Sequence, residues 1–318
     1  MSPKSLNQRP VRHIAVLKGG PSSEHEVSLR TGAAVAEALR SLNLFQVTEV
    51  LIERRDFVLP PDVDFAFICL HGAFGEDGEL QALLEKRGLP YTGCGVAASR
   101  LAFDKEASKE RFRSTDVPTP EGVTVPKGGA LPDDFPLPLV VKPARQGSTV
   151  GMSFVFERDQ VPAALEKAWE HDDRVLAERF VKGSEFTVGI LGDEALPPVE
   201  IVPKHGFYDY ENKYTAGATD YFCPPRVSLG TIALLQDLGL RAHRALGCRV
   251  YSRVDILIDG EGKPWVLEVN TIPGMTATSL LPKAAAAAQI AFPELCRRLI
   301  DLSLAAFPET ATPFLEND

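Results

Sequence analysis

Apolar residues in the first hundred positions form short runs separated by segments with helical spacing. The runs predict strands at 13–17, 45–52 and 63–70, and the spacing of alanine and leucine predicts helices at 31–42 and 78–88. Strands that alternate with helices over short connections indicate a parallel sheet with helices on its faces. Ligands of such sheets bind at the carboxyl ends of the strands. Gly19-Gly20 and His71-Gly72 fall at such ends, so they mark a candidate site.

The pattern beyond residue 98 predicts two further α/β units. In the second unit, a helix at 98–114 and a proline-rich connection at 117–138 precede strands at 139–144 and 152–156, and Asp159 caps a helix. The third unit begins with a strand at 174–181. Its other strands are predicted at 186–192, 198–203, 252–259 and 264–270, and its helices at 228–246 and 282–306. We therefore expect an α/β fold with three domains at 1–98, 99–178 and 179–318.

The predicted strands 252–259 and 264–270 carry polar side chains on one face. Side chains of a strand alternate between its two faces. The polar face receives Arg253, Asp255, Glu268 and Asn270, and the apolar face receives Val254, Ile256, Leu267 and Val269. The polar side chains therefore lie together above a core.

The register of these two strands follows from a four-residue loop at 260–263. The predicted pairs are Asp259 with Pro264, Asp255 with Glu268, and Arg253 with Asn270. Two carboxylates and an amide beside an arginine indicate a magnesium site, because hard cations with phosphate partners prefer oxygen ligands. A solvated sheet face with a salt bridge is the alternative that these strands alone leave open.

A loop of small residues at 142–151 follows the strand that ends near Lys142. Backbone amides of such a loop, together with a lysine, suit phosphate binding. The loop lacks the GxxxxGK[ST] pattern, so it is not a Walker A motif, and a short turn between two strands is the alternative. Lys105 and Lys213 are further candidate cations, although lysines at a surface need no such role.

The polar segment 21–28 follows the first strand. Glu24 stands where its carboxylate is able to bind a substrate ammonium. The alternative is helix capping, with Ser23 as the N-cap and Glu26 completing a capping box. We assign Glu26 to the cap and leave both interpretations of Glu24 open. Among the histidines, we single out His71 for function, because it lies at the carboxyl end of a strand.

The composition limits the class of protein. Of the 318 residues, 44% are hydrophobic and 24% are charged, which is ordinary for a globular protein, and the net charge of −9 argues against a nucleic-acid groove. Five cysteines without a CxxC pair indicate reduced thiols rather than disulfides or zinc ligands. No apolar run approaches the roughly 18 residues of a membrane helix. We therefore expect a cytoplasmic protein with neither membrane nor nucleic acid as its partner.

Taken together, seven motifs resemble those of D-alanine–D-alanine ligases, a branch of the ATP-grasp superfamily. They occur in the family's order between residues 14 and 306. The motifs are GGPSSEHEVS, HGAFGEDGELQ with PYTGCG, FDK, VVKPARQGSTVG, AERFVKGSEFTVGILG, FYDYENKY, and RVDILID with VLEVNTIPGMTATSLLP. The resemblance implies an N-terminal Rossmann-like domain and ATP held between the central and C-terminal domains.

The resemblance assigns nucleotide and metal roles to residues along the chain. Contacts with phosphates are implied for Lys105, Lys142 and Lys213. Adenine and ribose contacts are implied for Glu178, Phe180, Val181 and Glu185. Two Mg²⁺ ions, for which Mn²⁺ is able to substitute, are implied at Asp255, Glu268 and Asn270.

For the first D-alanine, the resemblance implies that Glu24 binds the ammonium, with His71 nearby. Ser148 and Tyr214 would hydrogen-bond with Glu24. Tyr214 also favours an amine as second substrate, since relatives that make D-alanyl-D-lactate differ in this segment. The segment 204–221 would act as a mobile loop that keeps water from the reaction.

The implied reaction starts when ATP phosphorylates the carboxylate of the first D-alanine. The amine of the second D-alanine then attacks the acyl phosphate. Arg253 and the N–H of Gly274 would stabilise the oxyanion, and Ser279 would receive the carboxylate of the second D-alanine. The dipeptide would serve peptidoglycan precursor synthesis, and a homodimer is expected by the same resemblance.

Two alternatives remain at this point. One is an ATP-grasp ligase for another amino or hydroxy acid. The other is a regulatory protein that binds nucleotide without turnover, against which the complete set of carboxylates, arginine and lysines argues. A dinucleotide dehydrogenase is disfavoured, because no GxGxxG follows the first strand.

Overall fold

In the computed structural model, the strands and helices of the described residues form three sheets with covering helices. The structure describes residues 11–147, 149–204 and 217–307. The strands are β1 His13–Gly19, β2 Gln46–Ile52, β3 Phe65–Ile68, β4 Gly122–Pro126, β5 Leu139–Pro143, β6 Ser153–Val155, β7 Arg174–Arg179, β8 Gly183–Leu191, β9 Glu194–Ala195, β10 Val199–Pro203, β11 Thr219–Phe222, β12 Tyr251–Asp259 and β13 Pro264–Asn270. The α-helices are α1 His25–Ser41, α2 Glu79–Lys86, α3 Val96–Phe103, α4 Lys105–Ser114, α5 Val161–Trp169, α6 Leu229–Ala245, α7 Leu280–Ala287 and α8 Phe292–Ala306.

The first sheet is parallel, as predicted, with the strand order β2-β1-β3. Ser28, in the first turn of α1, connects the ends of two strands. Its Oγ accepts the N–H of Gly19 at 2.8 Å and donates to the carbonyl of Cys69 at 2.7 Å. These bonds hold the start of α1 at the carboxyl edge of the sheet, where the sequence predicts a site.

The capping box predicted for α1 is wrong. Glu24 takes the N-cap position, and no side chain caps the helix there. The predicted N-cap, Ser23, faces another segment instead, since its Oγ accepts a hydrogen bond of 3.2 Å from Gln146 Nε2. Glu26 is exposed. The polar residues before α1 therefore face the rest of the molecule rather than the helix end.

The second sheet is antiparallel, with the strand order β4-β7-β5-β6, and α5 covers it. β7, predicted to begin the third unit, pairs with β4 and β5 instead, because Val175 and Ala177 belong to the core beneath α5. The predicted cap at Asp159 is also wrong. That residue lies in a 3₁₀ turn whose capping box joins Glu157 to Gln160.

The single helix predicted at 98–114 is divided into α3 and α4. Asp104 separates them with an extended backbone, and its Oδ1 accepts the N–H groups of Glu106 at 3.1 Å and Ala107 at 3.2 Å. Lys105 is therefore the first residue of α4. The helix predicted at 282–306 is likewise divided, into α7 and α8.

The third sheet has the strand order β11-β10-β8-β12-β13, with β9 paired to β8. One face packs against α6 through a core that includes Val188, Val254 and Ile256. The first and third units share another core, in which Val16 of β1 and Leu281 of α7 both lie. Among the residues that the structure describes, no helix has the length and apolarity required to cross a membrane.

Candidate active site

Two cavities lie beside the third sheet and meet. The first has a volume of about 260 Å³ and is bordered by the first unit, whereas the second has about 490 Å³ and lies between the second and third sheets. Predicted residues that line the first cavity are Glu24, His71, Arg253, Asn270, Gly274 and Ser279. Predicted residues that line the second are Lys142, Glu178, Phe180, Val181, Glu185 and Asp255. Lys105, Gln146 and Glu268 line both cavities and are termed the junction.

The β12–β13 ladder confirms the predicted pairing at the site. Asp255 lies opposite Glu268, and Arg253 lies opposite Asn270. Asp255 lines the second cavity, Asn270 lines the first, and Glu268 lines both. Asp255, Glu268 and Asn270 thus form a row of oxygen-bearing side chains, termed the oxygen row, that passes from one cavity to the other.

A β-bulge after Asp255 changes the remainder of the register. The predicted pair of Asp259 with Pro264 is wrong, because Ile258 lies opposite that proline. Leu267 was predicted in the core, but it lines the second cavity. A bulge adds one residue to a strand, so the alternation of faces shifts from that point onward.

Arg253 and Asp255 form one paired unit. The guanidinium donates from Nε to Oδ1 and from Nη2 to Oδ2, each at 3.0 Å. Oγ1 of Thr187 also donates to Oδ1, at 2.6 Å. Asp255 is 6% exposed, so these bonds replace water as its partners. A carboxylate has about four acceptor positions, and some of them stay available for a further ligand.

Lys105 stands at the junction. Its Nζ donates to the carbonyl of Gln146 at 2.7 Å and lies 3.5 Å from Oε2 of Glu268. Gln146 also reaches Ser23 in the first unit. The loop after β5 therefore spans the junction, and it places one cation beside the carboxylate that both cavities share.

Glu178 is a buried carboxylate between two lysines. Lys142 Nζ donates to its Oε1, and Lys109 Nζ lies 2.8 Å from its Oε2. Burial acts to raise the pKa of Glu178, but the charges of Lys109 and Lys142 outweigh burial and lower this pKa to about 2. Glu178 therefore stays ionised and holds Lys142 at the wall of the second cavity.

Aromatic side chains form part of the wall of the second cavity. The ring of Phe180 contacts the rings of Phe154 and Phe156 edge to face, with centroid distances of 5.8 and 6.0 Å. Val181 and Glu185 line the same cavity. Apolar and aromatic surface beside a polar group suits a flat heterocyclic ligand.

Glu24 lies where the first unit meets the loop after β5. A Cβ at either Gly72 or Gly147 would lie only 2.8 Å from its Oε2. These glycines therefore allow two segments to approach the carboxylate closely. The predicted site residues Ser148, Lys213 and Tyr214 lie outside the described residues.

His71 is buried and held from three sides. Nδ1 donates to the carbonyl of Ile272 at 3.0 Å, and Nε2 lies 3.0 Å from Oγ1 of Thr31. Since a carbonyl only accepts, the proton of this imidazole is assigned to Nδ1. Ser22 Oγ donates to the backbone carbonyl of His71 at 2.6 Å. The ring is thereby oriented at the edge of the first cavity.

Glu76 is a buried carboxyl group in the first cavity. Its Oε2 accepts the N–H of Gly72 at 3.0 Å, and its Oε1 lies 4.0 Å from Nδ1 of His71. Among the described residues, Oε1 has no hydrogen-bond partner. Burial, with a contribution from the charge of Glu24, raises the pKa of Glu76 against the opposing contacts with His71 and Gly72.

Ser279 takes the N-cap position of α7 without capping it. Its Oγ instead accepts the N–H of Thr276 at 3.0 Å. A Cβ at Gly274 would lie 2.9 Å from this Oγ, so the two backbone segments are close. Ser279 and Gly274 line the first cavity beside a helix N-terminus, which favours an anionic group.

The chemistry of the oxygen row fits a divalent cation. It offers the carboxylates of Asp255 and Glu268 and the amide of Asn270, a donor set that suits Mg²⁺ when phosphates supply further oxygens. Within residues 11–147, 149–204 and 217–307, no three His, Cys, Asp or Glu side chains come together as a metal site. The oxygen row is not such a group, because its third donor is the amide of Asn270.

Sequence reasoning missed Lys109 and Glu76. Lys109 follows Lys105 by one helical turn, so both lie on one side of α4. Glu76 belongs to the same motif as His71. These positions relative to Lys105 and His71 are the sequence features that point to the two residues. Neither residue was singled out, because lysine and glutamate are mostly found at surfaces.

Two family models match this chain. The model described as D-ala D-ala ligase N-terminus matches residues 56–94, and the one described as D-ala D-ala ligase C-terminus matches residues 129–301. The D-alanine–D-alanine ligase of Methylacidiphilum infernorum is 48% identical over 298 residues, which cover 94% of this chain and 97% of that protein.

Solved structures agree with these matches. A D-alanine–D-alanine ligase structure from Bacillus anthracis is similar with a TM-score of 0.85 at 36% identity, and a structure of it complexed with ATP has a TM-score of 0.83 at 33% identity. Each comparison covers 93% of this chain and 98% of the other. The resemblance and the ATP-grasp fold predicted from the motifs are thus confirmed, and the chain belongs to the D-alanine–D-alanine ligase family.

Proposed function

We propose that this chain joins two D-alanines in an ATP-dependent reaction that proceeds through an acyl phosphate. The observation that carries the proposal is the junction, where Lys105, Gln146 and Glu268 line both cavities. A phosphoryl group that passes from a nucleotide in the second cavity to a carboxylate in the first crosses at this place. The family and the relatives' names support the same reaction.

The second cavity is proposed to bind ATP. Its aromatic wall around Phe180, with Val181, would receive adenine, and Glu185 would hold the ribose hydroxyls. Lys142 and Lys105 would contact the phosphates, and Lys213 would contact the γ-phosphate from outside the described residues. The similar Bacillus anthracis structure complexed with ATP supports this assignment.

The first cavity is proposed to bind both D-alanines. Glu24 would pair with the ammonium of the first D-alanine, and the oriented imidazole of His71 would border it. Ser148 and Tyr214 would hydrogen-bond with Glu24. The position of Gly147 against this carboxylate supports the assignment of its neighbour Ser148. The carboxylate of the first D-alanine would then point to the junction.

The reaction has two steps. A carboxylate oxygen of the first D-alanine attacks the γ-phosphorus, ADP leaves, and an acyl phosphate forms. The amine of the second D-alanine attacks the acyl carbon, loses a proton, and expels phosphate, which retains the oxygen that came from the carboxylate. Phosphorylation is required because oxide is a poor leaving group.

Three residues of the first cavity would serve the second step. Arg253 and the N–H of Gly274 would stabilise negative charge on the acyl oxygen, and a lost donor of this kind typically costs about 10²–10³ in rate. Ser279 and the N-terminus of α7 would receive the carboxylate of the second D-alanine. The paired Asp255 would hold Arg253 in position.

Two Mg²⁺ ions, or Mn²⁺ in their place, are proposed at the oxygen row. When bound, such ions neutralise charge on the transferring phosphoryl group. Asp255 and Glu268 would orient their carboxylates from opposite strands, and Asn270 would add its amide oxygen on the side of the first cavity. When no ion is bound, the charge of Lys105 would hold Glu268 in place.

The three sheets are proposed to define three domains with bounds at 1–98, 99–178 and 179–318. The last residue of β7 is Arg179, so the second bound falls at the end of the second sheet. By the resemblance to this family, we also propose a homodimer, a cytoplasmic location and a role in peptidoglycan precursor synthesis. Of the segment 204–221 predicted as a loop, residues 205–216 lie outside the described residues, and residues 219–221 belong to strand β11 instead.

The reaction is tested by mixing the full chain with ATP, Mg²⁺ and D-alanine. We expect one phosphate released for each D-alanyl-D-alanine formed, and only background phosphate with L-alanine. D-serine and D-lactate, each supplied with D-alanine, show whether another second substrate is preferred. Nucleotide binding without any dipeptide would contradict the proposal and would favour a regulatory protein.

A further inference from the structure

Lys109 is a buried cation that lines neither cavity. It is 1% exposed and lies on α4, one turn after Lys105. Its Nζ donates to Oγ1 of Thr119 at 2.8 Å and to the carbonyl of Pro120 at 3.0 Å, and it lies 2.8 Å from Oε2 of Glu178. Two of these contacts are hydrogen bonds and the third is an ion pair, and all three come from the protein itself.

The two lysines at Glu178 differ in access. The side chain of Lys142 is 13% exposed and lines the second cavity, whereas that of Lys109 is 2% exposed. Burial and the charge of Lys142 lower the pKa of Lys109, while Glu178 opposes this. The three side chains together carry one excess positive charge in their ionised state. Only Lys142 is placed to offer that charge to a ligand.

A buried carboxylate needs a partner throughout a binding event. If Lys142 turns toward a phosphate, Glu178 loses one of its two cations, and a buried charge without a partner is strongly unfavourable. The remaining cation, Lys109, has no route to the cavity and keeps its contact with the other oxygen. The arrangement separates two tasks: one lysine serves the carboxylate, and the other is left to serve the ligand.

We propose that Lys109 is a positioning residue for nucleotide binding: by holding Glu178 on its own, it allows Lys142 to exchange between Glu178 and the nucleotide phosphates. This inference rests on the proposed binding of ATP in the second cavity. Lys109 itself touches neither substrate. Its effect reaches the nucleotide through Glu178 and Lys142.

The first test is Lys109→Met, with the dissociation constant of MgATP measured calorimetrically between pH 6 and 9 in the absence of D-alanine. Without Lys109, ionised Glu178 competes with the phosphates for Lys142. We expect binding at pH 8 to weaken on the order of ten- to hundred-fold, as expected for one lost ionic hydrogen bond. The ratio of variant to wild-type constants should fall toward pH 6, because Glu178 in the variant binds a proton more readily and releases Lys142.

The second test is a double-mutant cycle with Glu178→Gln. A neutral side chain no longer needs a dedicated cation, so adding Lys109→Met to this variant should change the MgATP constant less than about twofold. If the single Lys109→Met chain does not fold, a ten-fold or larger loss of MgATP binding on adding Lys109→Met to Glu178→Gln would still overturn the role of Lys109. Lys86→Met is the matched control, since Lys86 is exposed at the end of α2, lines neither cavity, and its replacement removes the same charge.

The outcomes separate the two proposals. A wild-type chain that does not bind MgATP would contradict the proposed function itself. If the wild-type chain binds MgATP, an equal loss from Lys109→Met in both backgrounds, a loss that does not vary with pH, or no loss at all would overturn the role of Lys109. The first two results would assign it to packing alone.

Discussion

The two cavities differ in how their polar side chains are held. In the first cavity, His71 bonds to the carbonyl of Ile272, 201 residues away, and Glu76 accepts the N–H of Gly72. In the second cavity, Glu178 is held by the charges of two lysines. Backbone partners cannot exchange without moving the fold, whereas charged side chains are able to exchange partners when an ionic ligand arrives. His71 and Glu76 of the first cavity are thus held by the fold, whereas Lys142 and Glu178 of the second are able to exchange charged partners.

The volumes of the two cavities also differ. The first cavity, at about 260 Å³, is the smaller of the two and is bordered by carboxylates, two arginines and the start of α7. The second, at about 490 Å³, combines lysines with an aromatic wall. Small zwitterions match the first, and a nucleotide matches the second. Changes confined to one cavity should therefore affect one ligand only, and changes at the junction should affect the reaction between them.

The largest effect is expected for Glu268→Gln at the junction. Loss of this charge would remove a proposed cation ligand of the oxygen row and the carboxylate beside Lys105. Several kcal/mol of stabilisation of the transferring phosphoryl group would be lost, so dipeptide formation should fall by at least about 10³-fold. Steady-state turnover measures the loss. Glu166→Gln, an exposed position on α5, is the matched control, and near-normal turnover of Glu268→Gln would contradict the assignment.

A smaller, one-sided effect is expected for Glu24→Gln in the first cavity. The amide no longer carries a charge opposite the ammonium of the first D-alanine, so the KM for D-alanine should rise about ten- to hundred-fold. The dissociation constant of MgATP should stay the same. The exposed Glu26 allows a control, Glu26→Gln, in the same turn of α1. Equal losses for both substrates would break the division into two cavities.

The converse effect is expected for Phe180→Ala in the second cavity. Removing this ring takes away aromatic surface and its contacts with Phe154 and Phe156. MgATP should bind roughly ten-fold more weakly, since an aromatic contact contributes about 0.5–1.5 kcal/mol beyond the area it buries. At saturating ATP, the KM for D-alanine should not change. Leu229→Ala, at an exposed position of α6, is the control.

The smallest effect is expected for Glu76→Gln and concerns stability. Burial raises the pKa of Glu76 in the folded chain, so its favourable contribution is complete below the unfolded value and is lost as the pH rises through the folded value. The amide of the variant is neutral at every pH, so the variant should gain on the wild type as the pH rises. A change of about 1 kcal/mol would move the Tm by roughly 2–4 °C.

Thermal melting of both proteins from pH 4 to pH 8 checks this expectation. The difference in Tm between Glu76→Gln and the wild type should grow toward pH 8. A difference that is constant across the range would show that Glu76 does not change its protonation within it. Such a result would contradict a raised pKa of Glu76 in the folded chain.

The sequence predicted the features that depend on local pattern. Alternating faces and a short loop placed Asp255 opposite Glu268, and the run of strands and helices predicted the parallel first sheet. The bulge after Asp255 was missed, because the register near the turn depends on packing against β8 and the core. Leu267 was therefore assigned to the wrong face.

The caps and buried charges were harder to predict, for a related reason. Ser23 has the spacing of an N-cap, yet its hydroxyl accepts a hydrogen bond from Gln146 in a distant loop. In the sequence, nothing distinguishes Lys109 from a surface lysine. Its burial is possible because Glu178, from a remote segment, pairs with it. Local patterns predict elements, but partners that come from remote segments are fixed by tertiary structure.

The central claim, that a phosphoryl group passes through the junction onto the carboxylate of D-alanine, is tested most directly by isotope transfer. D-Alanine labelled with ¹⁸O in its carboxylate is incubated with the chain, ATP and Mg²⁺, and the released phosphate is analysed by mass spectrometry. We predict one ¹⁸O atom in each phosphate released together with a dipeptide. Phosphate without label, formed at the same rate as the dipeptide, would contradict the claim.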